Sequence, residues 1–314
     1  MKTILVLGGF GFIGTNLLKY IEEKYFTEFQ VIVFDRTIKH PYNIECKCVK
    51  KVYAGDFSDE TTIEKIFKEN KLDLIIHLLS STVPATSSNA QYDVESNLIS
   101  TLKLLAIMDR YAVKDIVYLS SGGAIYGDFL QKVHNEEEAV YPKSSYGVVK
   151  LAIEKYLLSY AELYNFNSLI LRLSNPYGPY HYNLKQGVIN IAIRKALAKE
   201  TFQIWGSGDG VKDYIYILDV CEIIIRMIEN GVETNVYNLA ASNALSVNDI
   251  VEEIKKIIPS FQVENIASSN IDVQSFELDI TKLRKRLGKF KMTPFNEALN
   301  KTIEWHIKNM ENQN

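Results

Sequence analysis

Short apolar runs without alternation recur along this chain, and stretches with helical spacing separate them. Lys2 to Leu7 is the first such run, and it reads as a parallel strand buried on both faces. Val31 to Phe34, Leu74 to Leu79, Ile116 to Leu119 and Leu169 to Leu173 repeat the pattern. Between them the spacing predicts one helix carrying Leu17, Leu18 and Ile21, and others over 61–69, 94–111 and 145–164. This alternation predicts an α/β fold, a doubly wound parallel Rossmann sheet with right-handed crossovers. Beyond Leu173 the pattern is less regular. It predicts helices over 187–199, 219–230, 246–258 and 294–310, a short strand over 202–205, and a strand over 214–217 returning toward the first domain. The expected division is a nucleotide domain over 1–173, with a return segment near 212–240, and a second, smaller α/β lobe over 174–314. Substrate is expected between the lobes, and ligands of such sheets bind beyond the carboxyl ends of the strands.

The turn after the first strand is Gly8-Gly9-Phe10-Gly11-Phe12-Ile13-Gly14. A glycine-rich GxGxxG turn between a strand and a helix lets the backbone approach a pyrophosphate, which then faces the helix N-terminus. Ordinary flexible-turn glycines are the alternative. Asp35 ends the second strand ~20 residues further on, where a carboxylate accepts hydrogen bonds from an adenosine ribose. It also repels a 2′-phosphate, which favours NAD over NADP. Arg36 works the other way, because it can stack on adenine or recruit that phosphate. Asp56, with Phe57 beside it, follows another strand and can meet the adenine amino group. A helix N-cap or turn aspartate is the competing reading.

Tyr146 and Lys150 form a YxxxK pair. Four residues on a helix bring both side chains to one face. An ammonium beside a phenol favours the phenolate and lowers a pKa that is ~10 when unperturbed. Such a tyrosine takes a proton from a sugar hydroxyl as hydride leaves the same carbon. With 19 Tyr in the chain the pair alone is weak, and its weight comes from the segments around it.

Charge narrows the partners. In 314 residues, 35 basic against 38 acidic side chains give −3, with no basic face or tail for nucleic acid. No apolar run approaches a membrane span, and the chain begins on a core strand rather than a signal peptide, so a cytoplasmic location is expected. Three Cys, two of them in Cys46-Lys47-Cys48, make neither a disulfide framework nor a zinc spacing, and no metal is expected. Lys282, Arg284, Lys285 and Arg286 form a basic run read as a solvated helix face, with phosphate contact the alternative.

Taken together, GGFGFIG, Asp35, Asp56, Asn97, SSGGAIYG at 120–127, SSYGVVK at 144–150, LRLSNPYGP at 171–179, GSGDGVKDYIYILD at 206–219 and VYNLA at 236–240 resemble an extended short-chain dehydrogenase/reductase of the sugar-nucleotide epimerase/dehydratase family, like the UDP-glucose 4-epimerases. The resemblance covers nearly the whole chain. It implies bound NAD, contacted by Gly8, Gly11, Phe12, Ile13, Gly14, Asp35, Arg36, Asp56, Phe57, Asn97, Tyr146 and Lys150. Tyr146 is the implied catalytic acid or base, and Lys150 holds the nicotinamide ribose and tunes Tyr146. Asn175 and Lys212 are implied to meet the substrate diphosphate, Lys212 standing where relatives often carry arginine. Tyr177, Gln186, Val188 and Trp205 are candidates to line the sugar-nucleotide pocket, with packing the alternative for Trp205 and Tyr177. His77 is read as anchoring a strand end.

One position departs from the family pattern. The family's proton-sharing Ser or Thr falls at Gly122 here, and Ser121 is the nearest substitute, although its hydroxyl needs a shifted backbone to arrive. Water, Ser81 or Thr82 across the cleft are the other options. The 4,6-dehydratases carry an Asp-Glu pair next, where this chain has Gly123 and Ala124, so dehydration is not expected. Two enzymes remain: an epimerase of a nucleotide sugar, with a UDP-hexose or UDP-N-acetylhexosamine inverted at C4 through a 4-keto intermediate, and an NAD(P)H-dependent reductase of a nucleotide-linked 4-keto-6-deoxy sugar. A non-catalytic sugar-nucleotide or NAD sensor is the third reading. The family also implies a homodimer through the helices over 94–111 and 145–164, with Leu98, Leu102, Leu105, Met108, Val149, Ile153, Tyr156 and Leu157 as the stripes. A role in polysaccharide precursor supply is implied by the family alone.

Overall fold

The computed structural model describes residues 1–40, 42–82, 87, 89–127, 133–183, 186–267 and 275–311. The chain opens with β1 (Lys2–Leu7), α1 (Phe12–Lys24), β2 (Phe29–Asp35), β3 (Val49–Ala54), α2 (Glu60–Glu69) and β4 (Leu74–His77). A four-residue helix α3 (Ala90–Asp93) runs into a π-helical segment (Val94–Ile99) and then α4 (Ser100–Arg110). Next come β5 (Asp115–Ser121), the short α5 (Gly122–Ile125), β6 (Val133–His134), α6 (Ser145–Tyr164), β7 (Asn167–Leu173) and β8 (Asn175–Tyr177). The rest holds α7 (Val188–Leu197), β9 (Phe202–Trp205), β10 (Val211–Tyr216), α8 (Ile217–Glu229), β11 (Asn235–Leu239) and β12 (Ala244–Ser246). It closes with α9 (Val247–Ile257), β13 (Val263–Ile266), β14 (Ser275–Leu278), α10 (Thr281–Leu287) and α11 (Phe295–Glu311).

Two compact units divide the chain. The first comprises Met1–Gly127, Ala139–Leu173 and Cys221–Tyr237, and the second Asp128–Glu138, Ser174–Val220 and Asn238–Asn314.

In the first unit the apolar runs build a seven-stranded sheet in the order β11-β7-β5-β4-β1-β2-β3. Leu5 pairs in parallel register with Ile32 on one side and Ile75 on the other. Ile4, Leu5, Val6 and Leu7 are all completely buried, because helices cover both faces of the strand. The strand order reverses between β1 and β4, which is where a doubly wound sheet opens a crevice for ligand. The backbones crowd there: a Cβ on Gly8, whose φ is +80°, would stand 3.1 Å from the Leu79 Cα.

The helix expected over 94–111 is not uniform. It starts as α-helix at Ala90, passes through the six-residue π turn, and returns to α-helix at Ser100. Polar side chains there bond to carbonyls of the preceding turn: Ser96 Oγ donates to Tyr92 O (2.6 Å), Asn97 Nδ2 to Asp93 O (3.1 Å) and Ser100 Oγ to Glu95 O (3.1 Å). Such bonds compete with the backbone ladder and accompany its widening.

The second unit contains a five-stranded sheet, with β12-β10-β14-β6 in one path and β8 paired with β10. The strand expected over 214–217 therefore belongs with β8, β12 and β14 rather than with the seven-stranded sheet. The segment that enters that sheet is β11. Buried Asn238 ties the second unit together by donating from Nδ2 to His134 O and Asp279 O. A capping box between Ser246 and Asp249 starts α9.

Gly14 carries the tightest packing of the nucleotide turn, since a Cβ would meet Gly8 O at 2.4 Å and Gly9 O at 2.5 Å. Both neighbours are backbone and cannot rotate away. Gly14→Ala is expected to lower stability in urea unfolding by about 1–3 kcal/mol, as overpacking does.

Candidate active site

The turn between β1 and α1 is built as a cradle. Asp35 Oδ2 accepts the Phe10 N–H (2.8 Å) and Oδ1 the Arg36 N–H (2.8 Å), which joins the ends of the turn and of β2. Gly11 occupies the N-cap of α1 without a capping side chain, and the first turn has no acidic residue. The positive end of this helix is thus shaped for an anion, and the close glycine packing fits a pyrophosphate against the backbone. Phe12 and Ile13 begin the helix and are half-buried. Arg36 is exposed, and its charge acts on Asp56. Asp56 accepts from Ser58 N–H and Oγ at 2.8 and 2.6 Å, as a turn aspartate does, and Asp59 is the residue that caps α2. Phe57 packs its ring into the core against Phe34 and His77, so its backbone is the part left to face a nucleotide.

Tyr146 and Lys150 lie on α6, whose start is fixed by Ser144 accepting the Gly147 N–H. Together with His77, Thr82, Asn97 and Tyr118 they line one cavity within the first unit. Lys150 is buried, donates to Leu119 O (2.9 Å), and sits 4.8 Å from the centroid of the Tyr118 ring and 5.8 Å from that of Tyr146. Burial pulls its ammonium down to about 8, against an opposing pull from Glu154. Burial likewise pushes the Tyr146 phenol up to about 12, with the Ser121 hydroxyl acting in the other direction as its hydrogen-bond partner. In the protein alone, burial is thus the largest influence on both groups and works against the acidification of the phenol expected from Lys150.

Ser121 reaches the phenol because it ends β5 with extended backbone at φ −135°, ψ 110°, directly before the α5 turn that begins at buried Gly122. The hydroxyl that meets the phenol is thus that of the residue before Gly122. Thr82 is engaged elsewhere. Its hydroxyl acts on Asp93, whose completely buried carboxylate also accepts from Ser87 Oγ (2.5 Å). Ser87 in turn accepts the Tyr146 N–H (3.0 Å), so Asp93 steadies the first turn of α6. The Asn97 carboxamide bonds Ser81 N–H (2.8 Å) and fixes the loop beyond β4.

His77 is a structural group. Thr101 Oγ1 donates to Asn97 O (2.6 Å), so His77 Nε2, 3.1 Å from that hydroxyl, carries the proton. Complete burial takes its pKa down to about 3 and keeps the ring neutral. A buried pair missed in the sequence lies on the far side of Lys150. Glu154 accepts from Arg172 Nε and Nη2, the latter at 2.8 Å, and Arg172 Nη1 donates to Tyr126 OH (3.0 Å). The period of four from Tyr146 to Lys150 to Glu154 was the signal that pointed to it.

The remaining candidates belong to the second unit. Asn175 stands on β8 opposite Tyr214, with one amide N–H donated to Asp213 O (2.8 Å). Lys212 is exposed on β10, Gln186 is exposed, and Val188 is the half-buried first residue of α7. Trp205 is 66% exposed at the end of β9 and does not pack, whereas Tyr177 is buried against Tyr216 and Phe295. Among the described residues no group of three or more His, Cys, Asp or Glu side chains is placed to hold a metal ion. Nor is any described helix long and apolar enough to cross a membrane.

Known proteins are similar to this chain in sequence and fold. The model of the NAD dependent epimerase/dehydratase family matches residues 4–240. A Methanocaldococcus jannaschii protein, provisionally described as a UDP-glucose 4-epimerase, is 32% identical over 318 residues and 99% of each chain. The solved UDP-glucose 4-epimerase of Thermotoga maritima, crystallised with UDP-glucose, superposes with a TM-score of 0.90 at 29% identity, covering 98% of this chain and 99% of its own. The Escherichia coli dTDP-4-dehydro-6-deoxyglucose reductase is 26% identical over 312 residues, 96% of both chains. This chain belongs to the NAD-dependent epimerase/dehydratase family of extended short-chain dehydrogenases/reductases. It is an enzyme of nucleotide-sugar chemistry that uses NAD.

Burial of Lys150 gives stability a pH dependence. Its folded pKa of about 8 lies below the ordinary lysine value of 10.5, so between these values the unfolded chain binds more protons and stability rises with pH. Above 10 the raised Tyr146 opposes this, because the unfolded phenol ionises first. From pH 8 to 10 the wild type is expected to gain up to about 2 kcal/mol relative to Lys150→Met, measured as the difference between their urea unfolding curves.

Proposed function

We propose that the enzyme inverts C4 of a UDP-hexose or UDP-N-acetylhexosamine through a transient 4-keto sugar. The observation that carries this reading is the cluster of Tyr146, Ser121 and Lys150 over the carboxyl edge of the sheet, with no acid or base in the following turn. Gly123 and Ala124 stand where a dehydratase needs its acid–base pair. Space does not forbid larger side chains there, since a Cβ on Gly123 meets nothing within 4 Å. Similarity to UDP-glucose 4-epimerases supports the same choice.

In this reading Tyr146 removes the proton from the C4 hydroxyl and later returns it, with Ser121 as the hydroxyl bridging phenol and sugar. Lys150 is charged below about pH 8 and is the cation near the phenol, so it favours the phenolate when the sugar proton arrives. NAD, when bound, supplies the two-electron acceptor and donor. Gly8, Gly11, Gly14 and Asp35 hold its pyrophosphate and ribose, with Asn97 shaping the loop beside it. Thr82, Ser121 and Gly122 are the groups for the sugar, Asn175 and Lys212 of the second unit those for the diphosphate, and Gln186, Val188 and Trp205 candidates to line the sugar-nucleotide pocket. Lys212 supplies a point charge and not a fork.

The enzyme acts in the cytoplasm as a homodimer and supplies precursors for polysaccharide. Val149, Ile153, Leu157, Leu105 and Met108 are buried in this chain's own core and are not free for a partner. Val148, Tyr156 and Leu163 are 52%, 44% and 67% exposed on the outer face of α6, with Ile99 exposed on the π segment. Such a stripe suits a second copy. Tyr156→Asp is expected to shift the dimer to monomer in equilibrium sedimentation.

Proton NMR of the protein with UDP-glucose, UDP-galactose, UDP-GlcNAc and UDP-GalNAc is expected to show one C4 epimer forming. Tyr146→Phe is expected to cut that rate by about 100-fold or more while calorimetry still reports sugar-nucleotide binding. No epimer from any of the four, together with NADH oxidation by a nucleotide-linked 4-keto-6-deoxy sugar, would move the assignment to the reductase that one relative exemplifies.

A further inference from the structure

Lys150 has an unusual environment for a cation expected to stay charged. From β4 it faces neutral His77, and from β5 the Tyr118 ring and the Leu119 carbonyl. On its own helix it faces the Tyr146 phenol on one side and Glu154 on the other. The π segment adds the Asn97 amide, and β7 contributes Arg172 behind Glu154. Glu154 is the carboxylate that acts on Lys150, and it is 1% exposed.

Glu154 is not free to move. The Arg172 guanidinium grips it through two nitrogens and passes its remaining arm to the Tyr126 hydroxyl, all within the buried interior. Tyr126 follows the α5 turn that begins after Ser121, and Arg172 lies next to Leu173, the last residue of β7. The helix that carries Tyr146 and Lys150, the turn that follows Ser121 and strand β7 are thus joined at one ion pair. A buried ion pair adds little net stability compared with an apolar pair of the same volume, so stability alone does not account for its presence here.

We propose that Glu154 is a positioning residue for the reaction: held by Arg172 and Tyr126, its carboxylate keeps the Lys150 ammonium charged beside Tyr146. This rests on the reading of Lys150 as the cation of the proton transfer. Arg172 serves Glu154, and Glu154 serves Lys150, one helical turn along the same face. Glu154 touches neither sugar nor phenol. Its effect reaches the chemistry through the protonation state of Lys150 alone.

The test is a direct titration of Lys150 by carbon-13 NMR in the full-length protein labelled on lysine, with the signal assigned through Lys150→Arg. In Glu154→Gln the midpoint is expected to fall by about one pH unit or more, and the alkaline limb of kcat moves down with it. The double variant Glu154→Gln, Arg172→Met leaves no unpaired cation and is expected to fall between that variant and the wild type. Glu154→Asp keeps the charge and is expected to restore the wild-type midpoint to within about half a unit. An unmoved midpoint in a folded Glu154→Gln protein would show a purely structural residue and overturn the proposal. Should that variant not fold, equal midpoints in the double variant and in Glu154→Asp overturn it instead. The titration needs no sugar turnover: a shifted midpoint with no C4 epimer formed keeps this inference and sinks the epimerase reading.

Discussion

The desolvation of one ammonium organises this site. Lys150 is placed at the carboxyl end of the central strands, with a hydrogen bond to Leu119 O and an aromatic ring beside it. In water such a group stays charged past pH 10. Here burial brings it to about 8, where proton transfer near neutral pH becomes accessible. The sheet creates this condition, because its strands are buried on both faces and α6 seals the edge above them. The price is a raised Tyr146, which needs Ser121 on one side and a charged Lys150 on the other.

The polar groups around Lys150 hold each other in fixed states. Thr101 spends its proton on Asn97 O, which puts the His77 proton on Nε2, and burial keeps the ring neutral. Asn97 holds the loop beyond β4, and Asp93 holds Ser87 and through it the first turn of α6. These contacts share the π turn between α3 and α4. A uniform α-helix over the same residues would rotate Asn97 and Asp93 by a fraction of a turn relative to each other.

Much of the first unit was legible in the residues. Unalternating runs such as Lys2–Leu7 fix a parallel strand because both faces must be apolar, and the repeated order of strand, turn and helix fixes the winding. The glycine turn was legible for the same reason: only glycine tolerates the 2.4 Å approach of Gly8 O at position 14. The second unit was less so. Its short strands pair with partners far along the chain, as β10 does with β14 and β8, and no local periodicity encodes such pairings. Of the stripes expected to meet a second copy, Leu105, Met108, Val149, Ile153 and Leu157 are instead buried in this chain's own core, since helical spacing identifies an apolar face without saying whether sheet or solvent lies opposite.

The sequence by itself determined the strand–turn–helix order, the nucleotide turn with Asp35, the placement of Tyr146 and Lys150 on one helix face, and the lack of a dehydratase acid pair at Gly123 and Ala124. Each is set by residue type and short spacing, which the chain carries locally. Only the tertiary structure decided that Ser121 meets the phenol, that Thr82 serves Asp93 instead, that Glu154 is clamped by Arg172, and that burial raises Tyr146 and lowers Lys150. Those outcomes depend on which groups lose water together and which strand ends meet. Desolvation and long-range contact are properties of the packed molecule and are not written at any single position.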